Sequence, residues 1–152
     1  MTTCQTLYHG QISFEPEAVV EIPEGLFGFS DETRFLLLEA PTARPIVFVQ
    51  SVRSPSLCFI SLPVRVIEPN YRLSLPEEDL NSLKIAGANA PEIGRDVLCL
   101  ALLTIRERRA TTANLRAPLV INIAAHRGKQ VIVSENYSHQ HPYLEARMSA
   151  AC

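Results

Sequence analysis

The chain has 152 residues, 47% of them apolar and 20% charged, enough for one domain that buries about two-thirds of the surface its extended form exposes. Its 14 basic and 16 acidic residues leave a formal charge of −2, which excludes strong net steering toward nucleic acid or anionic lipid. Cys4, Cys58, Cys99 and Cys152 are scattered, without a C-x-x-C pair or the dense spacing of a secreted disulfide scaffold.

Cys58 and Cys99 lie inside apolar runs, where a reduced thiol behaves as a small hydrophobe. A reducing cytoplasm is the simplest setting. The amino terminus carries no positive region followed by a long apolar one, and no apolar run reaches the roughly 18 residues of a membrane span. Export and membrane insertion are both disfavoured.

Short apolar segments recur along the chain, at Gln11–Phe14, Val19–Ile22, Phe35–Leu38, Ile46–Val49 and Leu57–Ile60, then Tyr71–Leu75, Val97–Ile105, Leu119–Ile123 and Val131–Val133. About nine short strands, punctuated by turn residues and without regularly alternating helices, predict an antiparallel architecture. The expected fold is mostly β, a small antiparallel β-barrel-like single domain over residues 1–152 with one short helix.

The first unusual stretch is Pro23–Phe29, which carries Leu26, Phe27 and Phe29 on an apparent turn between glycines. Either these groups plug the end of a barrel or some stay exposed for a partner. The plug is preferred, because burial is the commoner fate of aromatic area. Further on, Arg53–Ser56 separates Ile46–Val52 from Leu57–Leu62 and predicts a hairpin.

Pro76–Ile85 predicts the single helix, with proline at its first position, three acids in its first turn and Leu80 and Leu83 on one side. It is the expected outer cover for Val97–Ile105, which is apolar on both faces. Residues 86–94 read as a loop.

Thr112–Val133 places apolar runs on either side of His126–Lys129, a tetrad containing Gly128, and predicts a second hairpin turning at that tetrad. Leu119, Ile121 and Ile123 face one way; Val120, Asn122 and Ala124 face the other. Pro118 suits the start of the strand. Asn114 and Asn122 read as groups that satisfy loop and ladder hydrogen bonds. Past Tyr137 the alternation stops, so a frayed tail is expected from about residue 138, with a helical turn around Leu144–Met148.

Residues that could carry chemistry are few. His139 and His141 lack a third ligand in regular structure, which favours solvation over a metal site. No G-x-S-x-G elbow or phosphate loop is present, and no cofactor is expected. Glu15, Glu17, Glu21 and Glu24 read as a solvated face. Arg106, Arg108 and Arg109, with Arg116, Arg127 and Lys129 nearby in sequence, offer a basic patch for RNA phosphates and hence an alternative, direct RNA-binding function. Glu107 interrupts the group and aromatics for base stacking are missing, so solvated charge is the better reading.

Taken together the residues resemble the FliW family of bacterial flagellar assembly factors across nearly the whole chain. The resemblance rests on Ile12–Phe14 followed by Glu24–Phe29, on Gln50–Ser51, on Pro69–Tyr71, and above all on Thr112–Asn122 with Gly128–Ile132. It implies a β-barrel-like protein without catalytic activity that binds CsrA, a dimeric RNA-binding repressor of translation, and also binds flagellin. Inhibition of CsrA would then be allosteric, acting away from its RNA-contacting surface. The free chain is expected to be a monomer with no direct contact to nucleic acid. Two positions depart from the family: Phe27 replaces the proline of Gly-Leu-Pro-Gly-Phe, and Leu62 stands where an acid commonly precedes the proline matched by Pro63. Leu26, Phe27, Phe29, Tyr71 and Asn114 form the candidate partner-binding surface.

Overall fold

The computed structural model describes residues 2–86 and 90–143. Seven strands close into a barrel: β3 (Val20–Glu21), β4 (Arg34–Leu38), β5 (Val47–Ser51), β6 (Cys58–Pro63), β7 (Val97–Thr104), β9 (Leu119–Asn122) and β10 (Arg127–Gln130). Neighbours pair antiparallel around the ring. The last seam differs, because β10 meets β3 in parallel through Arg127 and Glu21. The hairpin β1 (Thr2–Thr6) and β2 (Gly10–Phe14) forms its own sheet. The strands β8 (Thr111–Ala113) and β11 (His141–Tyr143) extend the sheet beyond β7.

Strand alternation divides the apolar residues into layers. Leu100 of β7, Leu119 and Ile121 of β9, Phe35 of β4 and Val47 and Val49 of β5 fill the interior with Val20, Ile22 and Leu26. The opposite residues of β7 and β9, Val97, Cys99, Ala101 and Val120, join an outer layer with Tyr71, Leu83, Val131 and Val133. The expectation that Val97–Ile105 is apolar on both faces because something covers it therefore holds.

The cover is more elaborate than one helix. The helix α2 (Glu77–Ser82) forms where the sequence predicts one but is shorter than Pro76–Ile85, with Pro76 as its N-cap and Leu83 as its C-cap. A second short helix, α1 (Val64–Ile67), follows β6 directly and buries Val64. Between them Tyr71–Leu75 forms no strand, contrary to expectation. Tyr71 and Leu73 are instead laid into the outer layer, with the Tyr71 hydroxyl donating to the Leu115 carbonyl at 2.5 Å and its ring stacked on Tyr137. Burial pushes that hydroxyl well above the usual tyrosine range, and pushes the Cys99 thiol up to about 12.

The Thr112–Val133 hairpin exists, but its turn lies three residues earlier than the predicted tetrad His126–Lys129, and Val131–Val133 falls beyond the end of β10. Strand β10 starts at Arg127 and pairs with Asn122, so the turn is Ile123–His126, with His126 at φ +50°. Asn122 Oδ1 accepts from the Ala124 and Ala125 amides, at 3.1 and 3.3 Å, and its Nδ2 donates to the Leu83 carbonyl at 2.9 Å. An asparagine that folds the backbone back on itself thus supplies the turn chemistry. Gly128 sits within the strand because the barrel is tight there. A Cβ would lie 3.2 Å from Ile121 Cγ1 and 3.3 Å from Ile22 Cγ1.

The carboxyl-terminal segment also departs from expectation: His141–Tyr143 pairs with β8 rather than fraying, while the helical turn anticipated at Leu144–Met148 lies outside the described residues. Among the described residues no helix is long and apolar enough to cross a membrane.

Candidate partner-binding surface

The loop between β3 and β4 is built around Gly25, whose φ of +68° and surroundings admit no side chain. A Cβ there would collide with the Phe29 carbonyl oxygen and lie 2.6 Å from Ser30 Cα. The chain doubles back, pairing Leu26 with Phe29 as an isolated bridge. Leu26 goes inward, 2% exposed, and plugs the barrel. Phe27 and Phe29 remain 55% and 41% exposed. The plug and the exposure foreseen for this stretch are therefore divided between residues.

Adjacent residues of β10 hold the loop from two sides. Gln130 Oε1 accepts from the Phe27 amide at 2.8 Å, while its Nε2 donates to the Ala117 carbonyl at 3.0 Å. Lys129 Nζ reaches Glu24 at 3.3 Å and the buried Asp79 of α2 at 2.8 Å. The hydrogen bond to Asp79, with the charge of both acids, holds the ammonium pKa above the usual lysine range. The ring of Phe29 stands edge-on to Phe59, 5.2 Å between centroids, and Phe59 continues inward to Phe35. The two exposed aromatics are thus carried on a braced turn, in the manner of a preorganised docking element.

Of the five residues singled out for partner contact, Leu26 and Tyr71 are interior. Leu26 is the only large aliphatic group of the turn that reaches the barrel core; Tyr71 is drawn in by stacking and by a hydrogen bond that its hydroxyl needs once buried. Asn114 is half-buried, and its Oδ1 accepts from the Ala117 amide at 2.9 Å. It shapes the approach to β9. Phe27 and Phe29 alone present apolar side chains to solvent. The sequence reading missed Leu7 and Tyr8 at the tip of the β1–β2 hairpin, which are 64% and 65% exposed. Their juxtaposition in a turn is the signal that marks them.

Two members of the expected basic patch are engaged elsewhere. Arg106, Arg108 and Arg109 are exposed in the β7–β8 loop, but Arg127 Nε donates to the Ser82 carbonyl at 2.7 Å and Lys129 is committed to Asp79 and Glu24. The polar cluster around Glu32 is taken up by internal bonding. Ser51 and Ser54 hydroxyls donate to Glu32, at 2.8 and 2.5 Å. That bonding, led by Ser54, holds the Glu32 carboxyl below its usual range despite burial. Gln50, fully buried, donates through Nε2 to the Ser51 and Leu57 carbonyls among others. This network pins the β5–β6 turn. Among the described residues no group of three or more His, Cys, Asp or Glu is arranged to hold a metal.

The FliW protein family model matches residues 3–144. The chain belongs to the FliW family. A flagellar assembly factor FliW from Geobacillus sp. (strain WCH70) is 36% identical over 138 residues, covering 90% of this chain and 91% of that protein. Another, from Bacillus pumilus (strain SAFR-032), is 31% identical over 146 residues, covering 95% and 97%. A crystal structure of the flagellar assembly factor FliW superposes with a TM-score of 0.81 at 34% identity, covering 95% of this chain and 99% of that one. The closed barrel described above is therefore the FliW fold.

Proposed function

We propose that this chain is a flagellar assembly factor of the cytoplasm that works by binding proteins and catalyses no reaction. Its partners are the translational repressor CsrA and flagellin. Flagellin made in excess occupies the factor, free CsrA then represses flagellin synthesis, and export of flagellin releases the factor to relieve the repression. Antagonism of CsrA is allosteric, which requires that the factor bind unequally to the RNA-free and RNA-bound forms.

The observation that carries this reading is similarity to flagellar assembly factors along nearly the whole chain. Exposed Phe27 and Phe29 on a braced turn support a role in binding, since aromatic side chains held in the open are characteristic interface anchors. The test is calorimetric titration of CsrA, and separately of flagellin, with the purified chain. Association with each partner and relief of RNA repression on mixing are expected; no heat at micromolar concentrations overturns the reading.

A further inference from the structure

A cleft of about 330 Å³ lies where the β1–β2 hairpin meets the barrel, at the small end of the range for ligand-binding clefts, about 300–1,000 Å³. Its walls join two cores. Leu37, Leu98 and Ile121 belong to the barrel interior, Phe14 to the layer under the hairpin, and exposed Ala18 and Ile123 form the lip.

Carboxylates flank this lip. Glu15 follows Phe14 and Glu17 precedes Ala18; both are exposed, and neither makes an ion pair among the described residues. Glu21 lies beyond Val20, another lining residue. Basic groups on the neighbouring segments are engaged: Arg34 with Glu21, Arg44 with Glu39, Arg95 with Glu92 and Asp96, and Arg127 through Nε with the Ser82 carbonyl. His126 is the one basic side chain in the lining.

We infer that this acid-flanked cleft is a docking site for an amphipathic segment of a protein partner, with aliphatic anchors on one face and Lys or Arg beside them. Apolar side chains enter between the hairpin and β9, and the segment's cations meet Glu15 and Glu17. Buried apolar area supplies the affinity, and the carboxylates set polarity, register and encounter rate. The inference rests on the reading that the chain acts by protein binding, and it places a contact surface apart from Phe27 and Phe29.

The probe is a labelled helical peptide of Leu and Lys, titrated by fluorescence anisotropy, with a Leu/Glu peptide of the same pattern as control. Binding of the Leu/Lys peptide alone is expected. The double variant Glu15→Lys/Glu17→Lys, and Ala18→Trp, which fills the cleft from an exposed position, should each weaken it by about tenfold or more. Ile123→Asp is a second blocking variant, and circular dichroism checks that each is folded. Equal binding of the Leu/Glu peptide, or unchanged affinity in all the variants, overturns the proposal. So does a dimer in sedimentation that Ala18→Trp dissociates, since the occupant would then be a second copy. In pull-downs, wild-type chain that retains CsrA or flagellin while every variant retains them equally sinks the cleft and leaves the function standing. Wild-type chain that retains neither sinks the function, and the peptide titration still judges the cleft.

Discussion

Among the described residues, twelve buried side chains form the layer on the outer side of β7 and β9, with Val64 of α1, Tyr71, Leu73 and Leu83 at the end of α2 among them, whereas the layer between β4 and the β1–β2 hairpin has four. Both layers cover the same barrel, yet the first is sealed by a backbone excursion between β6 and β7 and the second by one hairpin with exposed Leu7 and Tyr8 at its tip. Burial on the thick side goes into holding the barrel shut. The thin side keeps apolar surface within reach of solvent, including the cleft at Ala18 and Ile123. Such unevenness separates a part sealed by its own packing from a part whose apolar surface is left within reach of another molecule.

The comparison breaks most visibly at Tyr71. Replacing it with alanine removes a fully buried ring from the thick layer and should cost about 3–5 kcal/mol in urea unfolding; a cost similar to that of an exposed aromatic would mean the layer is not a core. Lys129→Met strands Asp79 in a nearly buried site and should cost about 3 kcal/mol, with Asp79→Asn recovering part of it in a double-mutant cycle. On the thin side Phe14→Ala should cost less, about 2–3 kcal/mol, because its half-exposed neighbours can relax into the space.

Smaller still is the pH effect at Glu32. Its folded pKa is depressed, chiefly by the Ser54 hydroxyl, so its contribution is present above the ordinary glutamate range and is lost as pH falls through the folded value. Lys129 has the opposite sign: its folded pKa is raised, so its contribution holds below the ordinary lysine range and is lost only as pH climbs past the folded value. Urea midpoints across pH should show both limbs, the acid one flattened by Glu32→Gln and the alkaline one by Lys129→Met. Least costly of all, Phe27→Ser and Phe29→Ser should each shift stability by less than about 0.5–1 kcal/mol, while weakening partner binding in calorimetry.

Most strands were legible because they alternate and are bounded by turn residues, and α2 because Pro76 and three acids announce it. The β5–β6 hairpin followed from Arg53–Ser56. What escaped were elements made by tertiary contact. Thr2–Thr6, Thr111–Ala113 and His141–Tyr143 are too polar or too short to declare themselves, and become strands through their partners. Tyr71–Leu75 has a strand's alternation, but its two inward residues feed a packing layer without a neighbour to pair with. At the second hairpin Gly128 misled, because a glycine needed for close packing looks the same in sequence as one needed for a turn. The exposure of the candidate residues was only partly legible for a related reason: Tyr71 and Asn114 belong to the stretches that mark the family, and those stretches are occupied with internal hydrogen bonds. Gln50 and Ser51 tell the same story.

The parallel seam between β3 and β10 has a bearing on how the molecule is made. Glu21 and Arg127, whose pairing closes the ring, stand 106 positions apart, so a ribosome must release everything from β3 to β10 before the circle can be joined. Until then the nascent sheet presents two raw borders, a condition that invites mispairing between neighbouring chains. Loop closure of that span is entropically late, and it makes the final hairpin the latch of the whole barrel.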